Sequence, residues 1–437
     1  MKSDIFTLRR EPLAYTEDQK IALAAVVTFL GDADRRTFVL AGYAGTGKTT
    51  ILENIAAYIK KQGNECILTA PTNRAVKVLT DKMPDEAGQT LHRLLYGAPD
   101  DDGNWIPHVE FEPGQVVVCD EASMIGEPVY QELSDRITAA GAKVIYVGDS
   151  FQLPPVGTDP KLLATPDVTL RQVMRQGTES NILSLATVVR TLGKKILPDS
   201  GAAGVSLVTP RAVLGSFLLN IKKDQDSVFI CGKNETRIEI NRQARAIKFG
   251  ASVSNVPQAG DRLICIANGP NVNGETVIAN TVNWTERVTV GIMVRPEGRV
   301  GGSAVKIKVP ACLAGINDAK YLFFPEVDIP SVYHSQIVVD KKIFGGDWLV
   351  ENRKTRRWEL NKNTVNIATF AYAITAHKSQ GGQWSKVYLD QDAFRNDARW
   401  FYTAITRATD EVLIARKADS SSLKMTWAQI KAAIQIQ

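Results

Sequence analysis

The run Gly42-Tyr43-Ala44-Gly45-Thr46-Gly47-Lys48-Thr49 has the residue types needed to hold a chain of phosphates. Glycines let consecutive backbone N–H groups turn inward around an anion, the lysine neutralises its charge, and the adjacent hydroxyl can ligate a magnesium ion. The apolar run Phe38-Val39-Leu40-Ala41 leads in, and the helix-like KTTILENIAAYIKK leads out. Strand, loop and helix in that order aim a helix N-terminus at the anion. Gly42, Ala44, Gly45, Thr46, Gly47, Lys48, Thr49 and Thr50 are therefore candidates to bind ATP, with Lys48 reaching the β- and γ-phosphates and Thr49 the metal. A second apolar run, Gln115–Cys119, ends in Asp120-Glu121. In a parallel sheet the carboxyl ends of strands meet at the ligand crevice, so Asp120 can join the magnesium shell and Glu121 can activate an attacking water. An acidic helix cap would explain the same pair taken alone. A third run, Lys143–Val147, leads into Gly148-Asp149-Ser150-Phe151-Gln152-Leu153-Pro154-Pro155.

Positioning these groups takes more than one domain. The chain has 437 residues, 44% hydrophobic and 23% charged, which suits two large α/β domains with two small insertions. No stretch of about 18 uncharged apolar residues occurs and the N-terminus lacks an apolar signal core, so a cytoplasmic protein with no membrane partner is expected. Five scattered cysteines without a CxxC pair, and four histidines outside ligand spacing, give an expectation of reduced thiols and no zinc site. A net charge of +5 is too mild at this length to imply a polyanionic partner by itself.

The ordered motifs carry a resemblance. GDSFQLPPV (residues 148–156) resembles motif III of superfamily 1 helicases, and DEAS (residues 120–123) their motif II. TAPTNRA (residues 69–75) resembles motif Ia, TLRQVMRQ (residues 169–176) motif IV, and WFYTAITRA (residues 400–408) motif VI. TAHKSQGGQW (residues 375–384) resembles the motif V of the RecD and Dda branch, superfamily 1B.

That resemblance implies an ATP-dependent DNA helicase moving along single-stranded DNA, 5′ to 3′, with ATP and magnesium as cofactors. Gln152 would sense the γ-phosphate, and Arg175 and Arg407 would reach it across the cleft with always-charged guanidinium groups. Gln383 would line the nucleotide site. Gln19, in the segment Tyr15–Gln19 that resembles the Q motif, would bond the adenine edge, although Thr16 and Gln19 also form a capping-box pattern. Pro71, Thr72, Asn73, Arg74, Thr90, His92, Asn234, Thr375, His377 and Lys378 would contact the DNA backbone without reading its bases. His377 could equally be a core or capping histidine. The implied partners are single-stranded DNA, duplex junctions, and replication or recombination proteins such as a single-strand-binding protein, met by a monomer.

The implied fold is two tandem RecA-like parallel-sheet domains. The first covers residues 1–92 and 112–165, with a hairpin inserted at 93–111 that in such enzymes splits the duplex. Asp102-Gly103 is its turn cue, and Trp105 is either the wedge or an ordinary packed tryptophan. The second covers 166–250 and 365–437, with an SH3-like β-rich insertion at 251–364 suggested by alternating runs such as Glu286–Val294. There Asn352-Arg-Lys-Thr-Arg-Arg-Trp358 is either a strand-guiding surface or a solvated face. Two further readings stay open: an ATP-switched nucleic-acid-binding protein that does not unwind, and the motor subunit of a nuclease complex.

Overall fold

The apolar runs around the glycine loop assemble into one parallel sheet. The structure, a computed structural model, describes residues 5, 14–84, 86–97, 110–155, 157–174, 180–223, 226–267, 270–271, 274–294, 305–325, 337–338, 340–345, 348–352, 357–390, 397–416 and 423–435. Strands β1 (Thr37–Gly42), β2 (Glu65–Ala70), β3 (Gly88–Thr90), β4 (Gln115–Cys119), β5 (Lys143–Gly148) and β6 (Val168–Leu170) lie in the order β3-β2-β4-β5-β1-β6. All five pairings are parallel. Strands covered on both faces need apolar residues at every position, which is why β1, β4 and β5 read as continuous hydrophobic runs. Their carboxyl ends emerge on one edge and carry the glycine loop, Asp120-Glu121 and Asp149 respectively. The helix Lys48–Lys61 covers this sheet with Ile51, Leu52, Ile55, Ala56 and Ile59, a stripe at helical spacing.

A second parallel sheet is built from Ala373–Thr375, Ser227–Cys231, Trp384–Leu389, Ala408–Ala415 and Val205–Val208, in that spatial order. Two such sheets in one chain agree with the tandem arrangement expected from the motifs. A third, mostly antiparallel sheet runs Thr276–Ile278, Arg262–Cys265, Val365–Phe370, Ala319–Phe323, Val305–Ile316, Val282–Val294, Ile337–Val338. It supplies the β-rich insertion. Among the described residues, no helix is long and apolar enough to cross a membrane.

Three boundaries differ from those read in the sequence. Val168–Leu170, expected to open the second domain after residue 165, pairs with β1 and completes the first sheet. Val365–Phe370, expected to resume the second domain, pairs with Arg262–Cys265 and Ala319–Phe323 in the β-rich sheet. Arg93–Tyr96, expected to begin the inserted hairpin, belongs to the helix Leu91–Tyr96, while residues 98–109, with Trp105, lie outside the described residues. Membership of a sheet is decided by partners far along the chain, which local pattern does not reveal.

The β-rich insertion is anchored to the second domain by a buried ion pair. Arg245, on the helix Asn234–Phe249, is 2% exposed and holds Asp261 through Nε at 2.9 Å and Nη2 at 3.0 Å. It also donates to the carbonyls of Ser254 and Val256 at 2.7 Å each, and the Tyr372 hydroxyl donates to Asp261 Oδ1 at 3.0 Å. Removing one partner strands the other charge without water. Arg245→Ala is therefore expected to destabilise the fold by about 3–5 kcal/mol, seen as a lower denaturant midpoint, whereas a loss under about 1 kcal/mol would show that solvent reaches the pair.

Candidate functional site

The glycine loop is shaped by residues on both sides of it. Gly45 and Gly47 both have φ of +77°, which side chains rarely tolerate, and a Cβ on Gly47 would collide with Met174 and Gln19. Gln19 is wholly buried: its Nε2 donates to the Thr46 carbonyl at 2.9 Å and its Oε1 accepts from the Thr16 amide at 3.1 Å. The capping box is thus formed, and the same amide braces the loop. Lys48 Nζ folds back to the carbonyls of Gly42 and Tyr43 at 2.7 and 3.1 Å, while Thr49 and Thr50 stand half-buried in the first helical turn.

Opposite the loop, Glu121 has a left-handed backbone, φ 53° and ψ 38°. For a residue with a side chain this costs about 1–3 kcal/mol, and such strain collects at functional sites. Its amide donates to Asp120 Oδ1 at 2.8 Å. Burial first, and then the Glu121 carboxylate, push Asp120 up to about 6 against the pull of Lys48. A divalent cation relieves that penalty, so the donor set of Thr49 and Asp120 fits the magnesium ion. Buried polar atoms without hydrogen-bond partners among the described residues also gather here: Glu121 Oε2, Ser123 Oγ, Thr69 Oγ1 and Gln152 Oε1. Native structures seldom leave such atoms unsatisfied unless a ligand or water meets them.

The second domain closes on this site through the segment Asp149–Leu153. The Tyr402 hydroxyl donates to Asp149 Oδ2 at 2.6 Å and accepts from the Ala44 amide at 2.9 Å. Leu153 donates its amide to Thr403 Oγ1 at 3.0 Å and receives Gln380 Nε2 on its carbonyl at 2.9 Å. Arg190 lies 3.6 Å over the Tyr43 ring. Tyr402, Thr403, Gln380 and Arg190 carry none of the roles read from the sequence, because their partners lie in the other domain. The motif resemblance marks the segments of the first three without assigning them.

Arg407 is 5% exposed and spends its guanidinium on its own domain. Nε donates to the Thr403 carbonyl at 3.1 Å, Nη1 to the Gly382 carbonyl at 3.3 Å and Nη2 to Thr406 Oγ1 at 3.3 Å. Reaching a phosphate requires exchanging these neutral acceptors for a charged one. Arg175 lies outside the described residues. Gln383 is exposed just before the strand Trp384–Leu389.

The expected strand-gripping residues fall into two groups. Thr72, Arg74, Pro155, His377, Lys378 and Gln380 line one cavity of about 300 Å³ between the domains. Arg74 also stacks 4.0 Å over the Trp384 ring, and a Cβ on Gly382 would strike its guanidinium. Burial, then the nearby Arg407, push Arg74 down to about 10. Thr72 and Thr90 cap helices, accepting from the amides of Ala75 and Arg93 at 3.2 Å each. Pro71 and Asn73 flank Thr72 half-buried, and His92 is exposed. Asn234 Oδ1 accepts from Arg237 at 3.2 Å, with Arg237 close enough to depress Lys378. Thr375 ends the strand beside Cys231 and leads into Ala376–Ser379. In the β-rich insertion Trp358 is 40% exposed beneath Lys341 at 4.1 Å; residues 353–356 lie outside the described set.

Comparisons with known proteins bear on the fold and on the segments that carry the motifs. Residues 14–194 match the model of an AAA domain, and residues 370–415 that of a UvrD-like helicase C-terminal domain. The ATP-dependent RecD2 DNA helicase of Deinococcus radiodurans is 27% identical over 89% of this chain and 48% of its own length. The ATP-dependent DNA helicase dda of Enterobacteria phage T4 is 32% identical over 32% of this chain and 33% of its own. The chain thus spans about half the length, or less, of the curated relatives it matches. The crystal structure of Pif1 helicase from Bacteroides in complex with ADP-AlF3 and ssDNA superposes with a TM-score of 0.50 at 18% identity, covering 97% of this chain and 98% of that one. At that identity the likeness establishes the fold.

Proposed function

We propose that this chain is a helicase of superfamily 1B, which hydrolyses ATP at its interdomain cleft and thereby moves along single-stranded DNA and separates duplexes. What carries the reading is that one segment, Asp149–Leu153, is bonded through Tyr402 to the glycine loop and through Gln380 to the cavity lined by Thr72, Arg74, His377 and Lys378. A change at the nucleotide is therefore felt where a strand would be gripped.

Lys48 neutralises the phosphates and Glu121 Oε2 takes the proton of the attacking water. Thr49 and Asp120 would hold the magnesium ion, which when bound neutralises charge on the phosphate oxygens. Gln152 meets the γ-phosphate, and Arg407 with Arg175 stabilises charge on the transferring group once the domains close. Thr72 and Arg74 sit on one domain and His377 and Lys378 on the other, so closure slides one grip relative to the other. Travel is 5′ to 3′, as the resemblance to RecD and Dda implies. Single-stranded DNA and duplex junctions are the substrates.

The test is unwinding of duplexes carrying either a 5′ or a 3′ single-stranded tail. Unwinding of the 5′-tailed duplex alone, dependent on ATP, is expected. In Lys48→Ala hydrolysis should fall by about 100-fold or more while single-strand affinity stays within about threefold. No unwinding of either duplex, with an ATPase indifferent to DNA, would overturn the motor reading.

A pH dependence follows from Lys378. Burial, with Arg237 beside it, pushes its ammonium down to about 8. A phosphate binds the protonated form, which is present below that value and is lost as pH rises through it. Single-strand affinity at constant ionic strength is expected to fall by about tenfold between about pH 7 and about pH 9, and Lys378→Ala should flatten the curve. Equal slopes in both proteins would place the titrating group elsewhere.

A further inference from the structure

The helix Ala398–Ile405 ends two residues before Arg407 and carries, on its buried side, a tyrosine with no task in the chemistry above. The Tyr402 hydroxyl bridges Asp149 Oδ2 at 2.6 Å and the Ala44 amide at 2.9 Å. Ala44 belongs to the glycine loop and Asp149 to the segment that carries Gln152, both across the cleft from Tyr402. A phenol can donate to a carboxylate while accepting from an amide. Phenylalanine would fill the same volume and do neither. A hydroxyl kept only to stabilise its own domain would be bonded within it.

The surroundings fix the bridge in one geometry. Asp149 has no exposure, so the bond runs in a low dielectric, and its loss takes the Tyr402 partner from a buried carboxylate that keeps only the Phe151 amide, on Oδ1 at 3.0 Å, among the described residues. The Phe151 ring meets that of Tyr402 edge-on, at 5.2 Å and 86°. Thr403, the next residue, holds Leu153, whose carbonyl is held by Gln380 from the wall of the strand-side cavity. The segment bearing Gln152 is thus bonded to the helix leading to Arg407 and to the segment bearing His377 and Lys378.

We propose that Tyr402 is a positioning residue that registers closure: its hydroxyl joins the glycine loop to Asp149 only when the Arg407 helix has docked, and so sets the turnover rate rather than the affinity for nucleotide or DNA. The inference rests on the ATP-driven reading above and deepens it. Tyr402→Phe should lower the DNA-stimulated kcat by about tenfold or more, with the KM for ATP and the single-strand Kd within about twofold of the unmodified chain. Asp149→Ala removes the acceptor of the same bridge and should do the same, and the double variant should be no slower than the slower single variant. Hydrogen exchange at the Ala44 amide, with a non-hydrolysable ATP analogue and single-stranded DNA bound, should quicken by about tenfold in either variant. That readout needs no catalysis, so the bridge and the motor reading fail separately. A kcat within twofold of the unmodified chain, a parallel loss of kcat and both affinities, multiplying losses in the double variant, or unchanged Ala44 exchange would each overturn the proposal. Should one variant not fold, the other carries the test.

Discussion

A phosphate held on the backbone amides of a glycine loop is already well neutralised, and further charge can help its transfer only if it arrives as the bond breaks. In the proposed mechanism that charge comes from Arg407, on another domain. Arg407 is turned toward Thr403, Gly382 and Thr406 of its own domain, with Arg74 nearby. Everything else in the cleft follows from the need to bring the two walls together in one arrangement. The bonds that do so, Tyr402 to Asp149 and Ala44, Thr403 to Leu153 and Gln380 to Leu153, converge on one short segment after β5.

The wall opposite the arginine is held in tension. Glu121 keeps a left-handed backbone, the neighbouring Asp120 has a raised pKa, and four polar atoms at the site lack partners among the described residues. Each costs stability, and the parallel sheet beneath, with β1, β4 and β5 buried almost throughout, is rigid enough to bear that cost. A site left unsatisfied in this way gains most when a charged ligand and a cation enter it together.

The parts of this arrangement legible in the sequence are those whose chemistry is local. The glycine loop, the apolar runs that become β1, β4 and β5, and the acidic pair after β4 depend on near neighbours, and they stand where the residues placed them. The boundaries at 165 and 364 misplaced strands because the three residues of Val168–Leu170 and the six of Val365–Phe370 join sheets through partners far along the chain. Tyr402 was equally hidden: nothing in WFYTAITRA distinguishes a core tyrosine from one whose hydroxyl lies against residues 44 and 149. Arg74 shows the same limit in another form. Its motif suggests a grip on a sugar-phosphate backbone, whereas the fold also stacks it on Trp384 beside Arg407. Gln19 admitted two readings, and the fold shows its amide capping the helix and bracing Thr46, with one N–H to spare.

Closure driven by nucleotide is open to direct measurement. Ile21 and Leu219, 58% and 65% exposed, lie on helices of the first and second domains, and Cys66 is the single cysteine not fully buried. Spin labels at positions 21 and 219 in a chain with Cys66→Ser would report the separation of the domains by pulsed electron paramagnetic resonance. A non-hydrolysable ATP analogue with single-stranded DNA should narrow the distance distribution and shift it, and ADP should restore the distribution seen without nucleotide. The same distribution in all three states would contradict the coupling of hydrolysis to domain closure.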